Sequence, residues 1–378
     1  MQNVDAAGLG IGDDHPPRIM GVLNVSQESP YKPSVFDDHA AAAEYVDEEL
    51  VGEGADIVDV GLESANKKFD VLSAEQELDR LDTAVETIQS VSGDAVFSIE
   101  TRYHEVAEAA LDAGFDMVND ICGFADPEMP RVCEEYDVAV GKMASPPDLE
   151  RPGAVEDVDD IYDALAMNGL TDKTIVDPAF GGWSEEKTLE DDRETFRRLR
   201  EFRGYGQPIL VSINRKNFLP SLAGRDTEGA LPVSLAATAM AVERGAHVVR
   251  THDVRETVDA ALVGEAFTRE RVRNPEVGVE ELDVTTPAEA ERHLARIGGE
   301  TEAADGAVSR TFEVTGLDAA ERERLGGAAA AAGVLLVPGE ESCLLVGTTG
   351  ALADLESGLQ TDDGRLAAVA SRIRSGVV

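Results

Sequence analysis

Between Arg18 and about Arg269, short apolar runs alternate eight times with longer stretches of helical periodicity. The runs are RIMGVLNV (18–25), ADIVDVG (55–61), AVFSIET (95–101), DMVNDIC (116–122), DVAVGKM (137–143), TIVDPA (174–179), PILVSIN (208–214) and HVVRTHD (247–253). They are nearly continuous apolar runs, not strict in–out alternations, as expected of parallel strands covered on both faces. Intervening segments such as SAEQELDRLDTAVETIQS, HEVAEAALDAG and RETFRRLREFRGYG have helical length and one apolar face. Gly54, Gly114 and Gly245 each stand just before a strand, where a helix C-terminal glycine belongs. Eight such units predict an α/β fold of the (β/α)8 TIM-barrel class over residues 18–272. A doubly wound open sheet would carry a GxGxxG turn after its first strand, and none is present.

After about Arg273 the pattern changes. NPEVGVEELD (274–283) reads as a linker, and residues 284–378 as a small α+β domain whose role the sequence does not disclose. It is expected to run helix (PAEAERHLARIGG), strand (SRTFEVTGL), Ala-rich helix, two strands and a last helix (ALADLESGLQ). Residues 1–17 read as an N-terminal extension. They lack a basic start followed by an apolar block, so no secretory signal is expected. The longest apolar run, Leu325 to Val337, is short of the ~18–20 residues that span a bilayer.

Charge adds a location. The chain has 378 residues, 75 acidic against 33 basic, and a formal charge of −42. Lysine occurs only at 32, 67, 68, 142, 173, 187 and 216, so arginine supplies most of the positive charge. Acidic blocks are spread along the chain, and their repulsion is tolerable where molar salt shrinks the Debye length to ~3 Å. A cytoplasmic protein of a high-salt interior is expected, with neither nucleic acid nor membrane as a surface partner. Three cysteines without a CxxC pair argue against a disulfide framework or zinc site, and no histidine pair has metal-ligand spacing.

In this fold class the chemistry sits at the C-terminal strand ends. Every strand end carries an ionisable or amide group: Asn24, Asp59 and Glu63, Glu100, Asn119 and Asp120, Lys142, Asp177, Asn214 with Arg215 and Lys216, then Arg250 and His252. Six of the seven lysines fall at or just beyond these ends, which suggests a funnel for an anionic substrate.

MGVLNVSQES, GADIVDVGLES, SIETRYHEVAEAALDAG, VNDICG, IVDPAFG, RRLREFRGYGQPILVSINRKNF and ERGAHVVRTHDVRETVDA resemble, in that order, dihydropteroate synthase, and its archaeal branch in the loop ESPYKPS. The resemblance covers about residues 18–265. It implies a transferase of folate biosynthesis, in which an arylamine such as p-aminobenzoate displaces pyrophosphate from the methylene of a dihydropterin. By resemblance, Asn24 helps hold a Mg²⁺ on the pyrophosphate, which Arg250 and His252 also bind. Asp177, Asn119 and Lys216 match pterin contacts, and Glu100 stands where the family has Asp. The catalytic set is then Asn24, Lys216, Arg250 and His252, and the family implies a homodimer.

The first two loops depart from the family pattern. Glu28, Lys32, Pro33 and Ser34 replace two aspartates and a double glycine. Ser64-Ala65-Asn66-Lys67-Lys68 replaces Ser-Thr-Arg, and Asn217 replaces a serine. The arylamine side is therefore assigned to Ser64, Lys67, Arg215 and Asn217. Two further readings stay open: a pterin-binding paralogue without condensing activity, and a pterin-dependent methyltransferase.

Overall fold

The computed structural model describes residues 1–26, 34–63, 71–149, 152–181, 186–213, 215, 218–274, 276–359 and 364–375. The chain divides into two compact units, Met1–Glu270 and Arg271–Val378. No described helix is long and apolar enough to cross a membrane.

The first unit opens with a hairpin, β1 (Val4–Ala6) and β2 (Leu9–Ile11). Eight parallel strands follow: β3 (Arg18–Asn24), β4 (Ile57–Gly61), β5 (Val96–Thr101), β6 (Met117–Asp120), β7 (Ala139–Met143), β8 (Thr174–Asp177), β9 (Leu210–Ser212) and β10 (Val248–Thr251). Their order is β8-β7-β6-β5-β4-β3-β10-β9. The ring closes through a parallel bridge between Val176 and Ile209, where the Val176 N–H donates to the Pro208 carbonyl at 2.9 Å. The fold is the barrel that the strand pattern predicts. Gly54, Gly114 and Gly245 have φ of +107°, +108° and +100°, a region side chains avoid. The first barrel helix, His39–Tyr45, widens into π turns over Val46–Val51.

Alternation along the strands sorts two cores. One residue from each of the eight strands (Met20, Ile57, Val96, Met117, Ala139, Ile175, Leu210 and Val248) forms an apolar layer inside the barrel. Val4, Ala6 and Ile11 of the hairpin pack on that layer, so residues 1–17 plug the N-terminal mouth of the barrel and do not trail from it. Neighbours of opposite parity, among them Ile19, Val58, Ile99, Val118, Val140, Val176, Val211 and Val249, pack outward with helical residues such as Leu81, Ala110, Ile161 and Ala241.

A buried polar knot pins the plug. Asp13 accepts from Arg203 Nη2 at 2.9 Å and Nη1 at 3.2 Å, and pairs with His247 Nε2 at 2.9 Å. The Ile209 N–H donates to His247 Nδ1, so that nitrogen carries no proton and Nε2–H is the donor to Asp13. Burial alone would raise the Asp13 pKa; the His247 and Arg203 hydrogen bonds outweigh it and hold the carboxyl well below its usual range. Gly245 leaves the room: a Cβ there would lie 2.5 Å from Arg203 Nη1.

In the second unit, β11 (Arg273–Asn274) and β12 (Val279–Glu280) pair antiparallel within the expected linker. After a helix at Pro287–Arg296 comes a three-stranded antiparallel sheet, ordered β13 (Ser309–Thr315), β15 (Ser342–Thr348), β14 (Leu335–Pro338). Its core joins Val314, Cys343 and Leu345 to Leu325, Leu352 and Leu355. A terminal helix, Arg365–Arg374, was not expected from the sequence; Leu366, Ala370 and Ile373 give it an apolar stripe buried in the same core.

Candidate active site

Two residues beyond the apolar layer, on the same face of each strand, the lumen turns polar. This layer holds Asp59 on β4, Asn119 on β6, Asp177 on β8 and Arg250 on β10. One layer higher, Asn24 ends β3 and Glu100 stands next to the end of β5. Asp59 Oδ2 accepts from Arg250 Nε at 2.7 Å and from Asn119 Nδ2 at 2.9 Å. Glu100, with a methylene more than the aspartate of the family pattern, reaches Arg250 Nη2 at 2.5 Å. Asp177 is buried, accepts from the Ala179 N–H at 2.7 Å, and adds its field to that at Arg250. The carboxylate thus caps the turn of its own Asp-Pro pair and also belongs to the lumen.

The electrostatics follow from burial. Burial by itself would pull the Arg250 guanidinium down; Glu100 and Asp59 outweigh it and push it above its ordinary value. Burial raises the Glu100 pKa, with Arg250 opposing and Asp59 and Glu63 adding to the rise.

Two glycines make the space. A Cβ on Gly61, ending β4, would lie 3.3 Å from Asn24 Oδ1 and 3.6 Å from Glu100 Oε1. A Cβ on Gly141 of β7 would lie 2.9 Å from Asn119 Oδ1. Asn24 is oriented by Ser34, whose hydroxyl accepts from its Nδ2 at 3.0 Å.

His252, half-buried and just past β10, has the same parity as Arg250. Thr251 between them points the other way, accepting from the Asp253 N–H at 3.0 Å. Arg215, assigned by sequence to the arylamine side, forks onto Asp253 at 2.7 and 2.9 Å and donates to the Glu228 carbonyl at 3.1 Å. It braces the loop after β9. Lys216, Ser64, Lys67 and Asn217 lie outside the described residues, as do Lys32, Lys68 and Asn214.

The lysine funnel is corrected at two positions. Lys142 has outward parity, and its Nζ donates to the Leu165, Met167 and Gly169 carbonyls at 3.0, 2.5 and 2.8 Å. It closes the end of the helix Val158–Ala166, and burial pulls its ammonium down to about 8 against the pull of Asp120. Asp120, also outward, caps the loop through the Cys122 and Phe124 N–H groups at 2.7 Å each. Lys187 is buried and donates to the Ala179 carbonyl at 3.0 Å beside Asp192.

At the rim, Arg102 pairs with Glu63 and donates to the Leu149 carbonyl at 3.0 Å, tying together the loops after β4, β5 and β7. Glu77 lies beneath, accepting from Thr101 Oγ1 at 2.6 Å, and burial pushes its carboxyl up to about 7. A carboxyl raised in the native state binds its proton more tightly there, so stability falls as pH climbs from about 4.5 to 7. Glu77→Gln is therefore expected to stabilise the protein by on the order of 2–3 kcal/mol at pH 8 and hardly at all at pH 4. Urea midpoints at the two pH values check this, and an equal shift at both would contradict it. Among the described residues, His104, Glu105 and Asp126 form one cluster of metal-ligand type. Asp126 already accepts from the His104 and Glu128 N–H groups there, as a helix cap does.

Residues 20–252 match the family model described as pterin binding enzyme. A probable bifunctional folylpolyglutamate synthase/dihydropteroate synthase of Haloferax volcanii is 36% identical over 275 residues, 68% of this chain and 32% of that protein. The chain thus spans about a third of the length of that relative, and 31% of a Halobacterium salinarum protein of the same description. Dihydropteroate synthase of Clostridium beijerinckii is 31% identical over 66% of this chain and 94% of its own length. Among solved structures, a Coxiella burnetii dihydropteroate synthase in complex with pteroic acid superposes with a TM-score of 0.59 at 27% identity, over 70% of this chain and 98% of that one. The Xanthomonas albilineans enzyme in complex with 7,8-dihydropteroate gives 0.56 at 29% identity, with the same two coverages.

Proposed function

The chain belongs to the pterin-binding enzyme family, and on that premise we propose that it is a dihydropteroate synthase, condensing a dihydropterin pyrophosphate with p-aminobenzoate or a related arylamine. The observation that carries the reading is the polar lumen layer. Above the apolar lumen layer, the carboxylates of Asp59, Asp177 and Glu100, a turned Asn119 and one guanidinium share the C-terminal end of the barrel.

A dihydropterin offers a flat edge of N–H donors. Buried acceptors such as Asp177 and the Asn119 carbonyl discriminate in its favour, because an unpaired buried acceptor is costly. Arg250 suits the pyrophosphate end: a guanidinium holds phosphate oxygens bidentately as the C–O bond breaks and charge moves onto the leaving group. The arylamine nitrogen forms the new C–N bond and loses a proton, and pyrophosphate departs. Lys216 and His252 are proposed to complete the pterin and phosphate contacts, and Ser64, Lys67 and Asn217 to face the arylamine.

Mg²⁺ fits the donor set. Asn24 Oδ1 and Glu100 Oε1 both border the gap that Gly61 leaves, and two oxygens beside substrate phosphates suit a hard cation. When bound, the ion would neutralise charge on the departing pyrophosphate.

A high-salt cytoplasm is proposed from the −42 charge and the scarcity of lysine. A homodimer is proposed on the helices Leu231–Glu243 and Val254–Phe267, which pack together and expose Met240, Leu262, Val263 and Phe267; light scattering in molar KCl that returns a monomer would exclude it. The pterin chemistry is assigned to residues 18–272, with no part given to 284–378.

The deciding assay follows pyrophosphate release from 6-hydroxymethyl-7,8-dihydropterin pyrophosphate in molar KCl. Release is expected only with arylamine present, and chelation of Mg²⁺ should stop it. Pterin binding without release for any arylamine would select the non-condensing paralogue. Methyl transfer from methyltetrahydrofolate to cobalamin would select the methyltransferase.

A further inference from the structure

The sequence marks Asp59 only as one more polar strand end, yet it is the hub of the lumen. Its side chain is fully buried, and one oxygen, Oδ2, takes both the Arg250 Nε–H and the Asn119 amide. The other oxygen, Oδ1, is buried and has no hydrogen-bond partner among the described residues. A carboxylate beside a guanidinium has only lone pairs to offer, so Asn119 must turn its NH₂ toward it. The Asn119 carbonyl is then turned to the Gly141 side, where only a glycine leaves room for it.

An asparagine is by itself ambiguous, able to offer a donor or an acceptor to a ligand. Asp59 removes that ambiguity. We propose that Asp59 is a positioning residue that locks Asn119 as a hydrogen-bond acceptor toward the lumen, and so makes the pocket selective for ligands rich in ring N–H donors. The lock is set by geometry before any ligand arrives. The same oxygen restrains Arg250 at Nε, leaving its Nη atoms to Glu100 and to a ligand. The proposal rests on the pterin reading above and deepens it by naming what selects the ring.

Asp59→Asn tests it, because an asparagine at 59 can donate to the Asn119 carbonyl and turn it round. Calorimetry would compare three ligands: 6-hydroxymethyl-7,8-dihydropterin, its oxidised form, which lacks the N8–H, and the lumazine analogue, with oxygen for the exocyclic amino group. In the parent the dihydropterin should bind tightest. In Asp59→Asn its preference over at least one analogue should shrink by tenfold or more. Asn119→Ala should shrink the same preference, and adding Asp59→Asn to it should change the ratio no further.

A folded Asp59→Asn, judged by near-ultraviolet circular dichroism, that weakens all three ligands equally would overturn the proposal and leave the pterin reading standing. A parent that binds none of the three would overturn the pterin reading itself. If Asp59→Asn does not fold, a crystal structure of the parent with the dihydropterin decides. The Asn119 carbonyl facing a ligand N–H supports the lock, and its NH₂ facing a ligand acceptor overturns it.

Discussion

Arg250→Ala is expected to reduce kcat/KM for condensation by about a thousandfold or more, roughly 4 kcal/mol of transition-state stabilisation. Two losses combine. In the proposed reaction the departing pyrophosphate loses a bidentate donor, and in the structure Asp59 and Glu100 lose the cation that compensates them inside the barrel. The sequence reading separates a ring pocket centred on Asp177 from a phosphate site centred on Arg250. The structure joins them, since Arg250 lies among Asp59, Glu100 and the field of Asp177. Asp177→Ala should therefore weaken ligands with and without pyrophosphate alike, whereas Arg250→Ala should weaken both and the phosphate-bearing one more. Stability carries a second readout. Burial already raises the Glu100 pKa, and removing Arg250 raises it further. A raised native carboxyl loses stability as pH rises, so the deficit of Arg250→Ala should be larger at pH 8 than at pH 5. Arg250→Lys should recover most of the stability but only part of the rate, because an ammonium lacks the planar fork. Activity within tenfold of the parent in Arg250→Ala would exclude a phosphate role.

Asp13→Asn, at the opposite mouth, is expected to cost about 3–5 kcal/mol of folding stability, the range for removing one partner of a buried ion pair. Arg203 and His247 are both buried, and an amide can accept from only one of them while its NH₂ faces the other. The native Asp13 carboxyl is held far below its unfolded value, so its contribution is complete above about pH 4 and is lost progressively as pH falls. The parent and variant should therefore differ most near neutral pH and converge in acid. Urea midpoints in molar KCl at pH 7 and pH 3 measure this. A neutral-pH loss below about 1 kcal/mol would mean that the hairpin is held by Val4, Ala6 and Ile11 alone.

Architecture was legible in the sequence because its signals are local. Eight apolar runs, the amphipathic segments between them and the glycines at 54, 114 and 245 each act within a dozen residues, and together they leave few folds besides a barrel. Asn24, Glu100, Asn119, Asp177 and Arg250 could be picked out because strand ends are where this fold gathers polar groups. The plug was not legible, since Asp13 meets Arg203 and His247 only after some two hundred residues of chain have closed the ring.

Tertiary structure alone decided which strand-end residues face the lumen. Strands covered on both faces show apolar residues at every position, so their pattern has a period but no phase. Asn119 and Asp120 are adjacent, as are Gly141 and Lys142, and nothing in composition says which of each pair turns inward. Closure of the barrel sets that phase. It turns Asp120 and Lys142 into braces for the outer layer and leaves Asp59, which local pattern could not distinguish from its neighbours, at the centre of the site.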